Sequence, residues 1–215
     1  MGATKRAVLE DILVPARIVP VLTIDRVEDG VPLARALVAG GVRVLEVTFR
    51  TGVAVAAAKA IIAEVPDAIV GIGTVLNGED LRRAKDLGAR FAVSPGAAPE
   101  LFDAASASDL PLLPGIATAS ELMQAQARGF GFVKFFPAEQ AGGIAMLRAL
   151  AGPFPAVRFC PTGGINADNV ATWLAEPNVT CVGGSWLCPA SDIKAGNWEI
   201  ITGRCADAMK RLRRR

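Results

Sequence analysis

The chain has 215 residues, 52% apolar and 20% charged, which argues against disorder and suits one globular domain over residues 1–215. Net charge is +2, but Lys210, Arg211, Arg213, Arg214 and Arg215 crowd the last six positions; without them 18 basic residues face 21 acidic ones, a balance of −3. The body is therefore no nucleic-acid surface, and the tail reads as a solvated helix end favoured by the helix dipole.

In chain order, residues 4–14 predict a helix ahead of the first strand. Short β-rich apolar runs follow at Ile18–Thr23, Val44–Phe49, Ala68–Thr74, Phe91–Pro95, Leu112–Ile116, Phe132–Pro137, Arg158–Gly163 and Thr180–Ser185. Between them lie helical spacings over Pro32–Ala39, Val53–Glu64, Glu79–Leu87, Ser120–Arg128 and Ile144–Leu150, and Ile193–Leu212 contains the last helix. Strands alternating with helices imply right-handed crossovers and a parallel sheet. Eight such units predict an α/β fold, a (β/α)8 TIM barrel with an extra N-terminal helix. The alternative, a doubly wound open sheet, lacks its dinucleotide fingerprint: Gly71 and Gly73 would need a third glycine at 76, where Leu76 stands.

Further exclusions come from what the sequence lacks. No uncharged apolar run reaches the ~18 residues of a membrane-spanning helix, so no membrane partner is expected. No secretory leader is visible, and Arg6 stands where a myristoylation motif at Gly2 wants Ser or Thr. The Asn178-Val179-Thr180 sequon reads as accidental, and the expected location is cytoplasmic. Cys160, Cys181, Cys188 and Cys205 show no C-x-x-C spacing and read as reduced core thiols. With no His and no Tyr, Ser-His-Asp and Cys-His catalysis and histidine-based metal sites are removed. Proton transfer near neutral pH then falls to a carboxylate, a lysine, a thiol or water.

In a barrel, the site lies at the C-terminal strand ends, with phosphate often held after strands seven and eight. Along Val44–Arg50, period two puts Glu46, Thr48 and Arg50 on one face. A strand covered on both sides has no solvent face, so that polar row points into the barrel mouth. The bland alternative is a half-exposed antiparallel strand. Strand six holds Lys134 between Val133 and the aromatic pair Phe135-Phe136. An ammonium is costly to bury in such company, and attack on a ketone requires the neutral amine; a lysine snorkelling to the strand end is the alternative. Gly163-Gly164 and Gly183-Gly184-Ser185 end strands seven and eight, where bare backbone can approach an anion, helped by a helix start near Asn166–Asp168. Thr74 and Pro95 end strands three and four, the first offering a hydroxyl and the second shaping a wall.

Taken together, Gly40–Arg50, Gly73-Thr74-Val75, Ser94-Pro95-Gly96, Pro114-Gly115-Ile116, Phe132–Glu139, Phe159–Ile165 and Gly183–Trp186 resemble the bacterial 2-keto-3-deoxy-6-phosphogluconate (KDPG) and 4-hydroxy-2-oxoglutarate aldolases, from about residue 8 to 205. The resemblance implies a barrel that assembles as a homotrimer, works in Entner–Doudoroff carbohydrate metabolism and uses no cofactor. It implies a class I aldolase in which Lys134 forms an imine and Glu46 is the general acid and base. Arg50 and Thr74 would hold the substrate carboxylate. Gly163, Gly164, Gly184 and Ser185 would hold the phosphate, with Thr162, Pro95 and Phe136 shaping the pocket. Thr162 leans the substrate to the gluconate epimer, since related galactonate enzymes tend to carry an aliphatic residue there. The implied partners are a phosphorylated keto acid and pyruvate. Other phosphate-binding barrels, such as an epimerase or a thiamine-phosphate synthase type, explain the glycines but not a lysine facing Glu46; a barrel retained as a non-catalytic sugar-phosphate binder predicts binding without turnover, which an assay for pyruvate release distinguishes.

Overall fold

The computed structural model describes residues 3–213; Gly2, and Arg214 and Arg215 of the basic tail, lie outside the described residues. Helix α1 (Ala3–Ala16) precedes β1 (Ile18–Leu22), and then α2 (Val27–Ala39), β2 (Val44–Thr48), α3 (Ala54–Glu64), β3 (Ile69–Gly73), α4 (Gly78–Asp86) and β4 (Phe91–Val93) alternate. They are followed by α5 (Pro99–Ala107), β5 (Leu112–Leu113), β6 (Gly115–Ile116), α6 (Ala119–Ala127), β7 (Phe132–Phe135), α7 (Gly143–Ala151), β8 (Arg158–Pro161), α8 (Val170–Leu174) and β9 (Val182–Gly184). Helices α9 (Ala190–Ala195) and α10 (Trp198–Arg213) close the chain, and α10 carries Lys210 and Arg211 in solvent.

The expected eight strands become nine because the fifth run is split. Pro114 has no N–H to give a neighbour, and at that residue the chain changes partners. Its N-terminal half, β5, pairs with β4, and its C-terminal half, β6, pairs with β7. All ladders are parallel, in the orders β5-β4-β3-β2-β1-β9 and β6-β7-β8. Chain continuity through Pro114 joins the two sheets on one side. On the other, the bridges Phe159↔Val179 and Thr162↔Gly183 bring β8 to β9, with Thr180 N donating to Phe159 O at 3.0 Å. The ring closes as a (β/α)8 barrel.

Local chemistry sets several helix starts. Thr118 and Glu121 form a capping box on α6, and Asn77 accepts from Asp80 N to start α4. Helix α2 begins at Val27, earlier than the spacing from Pro32 suggests, with Glu28 and Asp29 in its first turn, where acidic groups suit the helix dipole. Helix α8 begins at Val170, not near Asn166–Asp168, because the Asn166 side chain accepts from Asp168 N and Asn169 N and holds a turn there.

Period two divides the core into two layers. Outward residues such as Leu45, Val47, Ile72, Ala92, Val133 and Phe159 pack under the helices. Inward residues low in the barrel (Val19, Val44, Phe91, Phe132, Cys160 and Cys181) join Leu9, Ile12 and Leu13 of α1 in a separate buried cluster. The extra N-terminal helix is thus the floor of the barrel. Above that floor the inward row turns polar.

Candidate active site

Glu46 lies on the second barrel strand and Lys134 on the sixth when β5 and β6 count as one. Four places apart in a ring of eight, they face each other across the axis. Lys134 Nζ donates to Glu46 Oε1 at 3.2 Å, and both residues are only 3% exposed. The amine also lies 5.3 Å from the centroid of the Phe136 ring, whose π face favours a cation. Gly73 makes room for the carboxylate: a Cβ there would sit 2.2 Å from Glu46 Oε1. One strand position above Glu46, facing inward like it, Thr48 is fully buried and donates its hydroxyl to Leu22 O at 2.8 Å.

Above the pair opens a cavity of about 330 Å³ lined by Arg50, Phe136, Thr162, Gly163, Gly164, Gly184 and Ser185, seven of the positions singled out in the sequence. Thr74 reaches the site through Arg50, whose Nε donates to Thr74 Oγ1 at 3.1 Å. Thr74 holds φ at +60°, a left-handed value that a β-branched residue adopts only under constraint. Pro95 is not among the residues lining this cavity; its carbonyl lies against Gly115, where a Cβ would sit 2.2 Å from Pro95 O. Lys134 and Glu46 are likewise not among the lining residues, while Phe136, which lines the cavity, has its ring centroid 5.3 Å from the amine.

The cavity also takes in residues that sequence reasoning passed over: Val21, Thr23, Ile165, Cys188, Pro189, Ala190 and Ile193. Thr23 was signalled, since it is the polar end of the Ile18–Thr23 run and two residues beyond inward-facing Val21. Its Oγ1 lies 3.4 Å from Thr48 Oγ1. Cys188 is no nucleophile, because burial pushes its thiol up to about 12. Burial likewise takes Cys205 up to about 11, while hydrogen bonding to Cys160 and burial hold Cys181 well above the ordinary thiol range. All four cysteines are free and buried, and no group of three or more His, Cys, Asp or Glu side chains is placed to hold a metal among the described residues.

Larger hollows lie elsewhere, one of about 520 Å³ beside α1 and one of about 620 Å³ along α10. In the first, the amines of Lys5 and Lys85 are tied to the carbonyls of Ala105 and Ser106 and to Asp109. The second has arginines and aspartates but no lysine. Among the described residues, only the barrel interior sets a lysine amine against a carboxylate out of water.

The sequence pattern of the family described as "Aldolase: KDPG and KHG aldolase" matches residues 9–204. The chain belongs to that family. Among its KDPG and KHG aldolase relatives, a KHG/KDPG aldolase of Escherichia coli strain K12 is 52% identical over 201 residues, 94% of each chain. A solved KDPG aldolase from Legionella pneumophila, with pyruvate captured as a covalent carbinolamine intermediate, superposes with a TM-score of 0.91 at 48% identity, covering 93% of this chain and 97% of that one. The 2-keto-3-deoxy-6-phosphogluconate aldolase of Zymomonas mobilis, solved with 3-phosphoglycerate, gives 0.86 at 44% identity over 95% and 94% of the two chains.

Proposed function

We propose that this aldolase cleaves 2-keto-3-deoxy-6-phosphogluconate to pyruvate and glyceraldehyde 3-phosphate through an imine at Lys134. The observation that carries the reading is the buried Lys134–Glu46 contact of 3.2 Å beneath a glycine-rimmed cavity. It is supported by the pyruvate carbinolamine held by the Legionella relative and the phosphorylated acid held by the Zymomonas relative.

Neutral Lys134 attacks the C2 ketone, and loss of water from the carbinolamine gives a protonated imine. That cation accepts the electron pair when the C3–C4 bond breaks. Glu46, directly or through one water, takes the C4 hydroxyl proton as the aldehyde forms. The same carboxyl then returns a proton to C3 of the enamine, and hydrolysis frees pyruvate. One group alternating as base and acid meets the need of a chain with no histidine. Arg50 offers a planar fork to the substrate carboxylate, held by Thr74. Gly163, Gly164, Gly184 and Ser185 take the distal phosphate, whose binding aligns C3–C4 with the imine. Thr162 faces the same cavity beside the cleaved bond, and Phe136 covers the amine.

We extend the reading to 4-hydroxy-2-oxoglutarate, split to pyruvate and glyoxylate, on the strength of the Escherichia coli relative's double name. The reading also includes a homotrimer, a place in the Entner–Doudoroff route, and a cytoplasmic location, the last supported by four free thiols. The test is pyruvate release from both C4 epimers of the phosphorylated keto acid, with borohydride trapping of pyruvate and peptide mapping. The gluconate epimer should react faster and the adduct should sit on Lys134. An adduct elsewhere overturns the mechanism, and a faster galactonate epimer overturns the substrate.

A further inference from the structure

The turn carrying Gly163 and Gly164 is held from behind by side chains that the chemistry above does not use. Glu139 follows β7 and lies against this turn through its backbone and its side-chain stem, while its carboxylate reaches the turn by way of Asn169. Its N–H donates to Gly163 O at 3.1 Å, and Ala138 N donates to Thr162 O at 2.8 Å. Glu139 Oε1 accepts from Trp173 Nε1 at 3.2 Å and from Asn169 Nδ2 at 3.3 Å. Asn169 Nδ2 also donates to Gly164 O at 3.0 Å, and Asn169 Oδ1 accepts from Asn166 N at 2.8 Å. Trp173 is fully buried, so its indole fixes the carboxylate to the core.

Gly164 rests directly on the Glu139 stem: a Cβ on Gly164 would lie 2.3 Å from Glu139 Cγ. With φ of +104° and +80°, Gly163 and Gly164 turn their carbonyls back toward Glu139 and Asn169. In a trans peptide the next N–H points opposite to the carbonyl. Holding Gly163 O and Gly164 O on the rear side therefore aims the amides of Gly164 and Ile165 the other way, toward the cavity that both residues line. Neither amide donates to a protein carbonyl among the described residues.

We infer that Glu139 is a positioning residue for the substrate's phosphate: by accepting from Trp173 and Asn169 it presents the Gly164 and Ile165 amides as an anion cradle. This rests on the phosphate assignment proposed above. Its hydrogen-bond acceptance, not its charge, does the positioning, because a carboxylate's field by itself repels a phosphate.

The experiment compares the full-length wild type with E139A and E139Q. It measures the Kd for inorganic phosphate, the KM for the phosphorylated keto acid, and the rate of borohydride trapping with pyruvate, which has no distal anion. E139A should raise phosphate Kd and KM about tenfold, the worth of two hydrogen bonds, and leave trapping unchanged. E139Q keeps an acceptor oxygen and should stay within about threefold of wild type. Trp173→Phe keeps the ring bulk, removes one donor and should raise phosphate Kd about threefold. An E139A Kd within twofold of wild type, parallel loss of trapping, equal damage from E139Q, or an unaltered W173F would each overturn the inference. Wild type that never traps pyruvate would instead sink the aldolase reading, while phosphate Kd still decides the role of Glu139.

Discussion

Lys134→Met removes the amine and keeps a side chain of similar length, so its consequences follow from the 3.2 Å contact with Glu46. Both partners are 3% exposed, the nearby Thr48 hydroxyl is engaged with Leu22 O, and Lys134 is the charged side chain paired with Glu46 among the described residues. A buried charge stripped of its partner costs about 3 to 5 kcal/mol, roughly 6 to 20 °C in Tm at this chain length. We expect Lys134→Met to melt well below wild type, and adding Glu46→Gln to restore most of the difference. Thermal melts, with pyruvate release coupled to lactate dehydrogenase, test both arms. Turnover above background would exclude an obligatory imine, and a Tm equal to wild type would refute the burial argument.

Glu46→Gln alone should slow turnover by about 10² to 10⁴, the usual worth of general acid–base catalysis; a loss under about threefold moves that role to water. Thr74→Gly relieves a left-handed β-branched residue, a gain of about 1 to 2 kcal/mol set against about 0.5 to 1 kcal/mol of glycine entropy. It should leave Tm unchanged or higher while raising KM for the keto acid several-fold through loss of the Arg50 contact; an unchanged KM would show that Thr74 does not set Arg50. The Cys188 thiol is raised to about 12 in the folded state, so its contribution is complete below the unfolded thiol range and is lost as pH rises from about 8.5 toward 12. Cys188→Ala should therefore flatten the fall of stability across pH 9 to 11 by about 1.4 kcal/mol per pH unit, and parallel curves would contradict it.

Residues that obey a short period were readable in advance. Glu46 and Lys134 each interrupt an apolar strand: alternation groups Glu46 with Thr48 and Arg50 on one face, while Lys134 stands out as an amine among aromatics. The glycine pairs were readable because two strand ends carried the same backbone freedom. What could not be read depends on contacts between distant segments. Pro114 breaks the fifth strand because its two flanks bond to different neighbours, and that follows only from closure of the ring. The close approach of the Pro95 carbonyl to Gly115 likewise joins two strands and left no local signal in the sequence. The Glu139–Trp173–Asn169 cluster spans 34 residues of sequence and carries no periodic signature.

The floor formed by α1 has a kinetic consequence. With Leu9 and Leu13 fully buried among the lowest inward side chains, the barrel is a vessel stoppered at its lower end by this helix. The amine lies deepest and the glycine turns stand at the sill. On the proposed imine at Lys134 and phosphate seat at the glycine turns, a three-carbon fragment still bonded to nitrogen sits behind whatever occupies the sill, so the aldehyde phosphate departs first and pyruvate last. In the synthetic direction the queue reverses, which makes pyruvate the obligatory first guest.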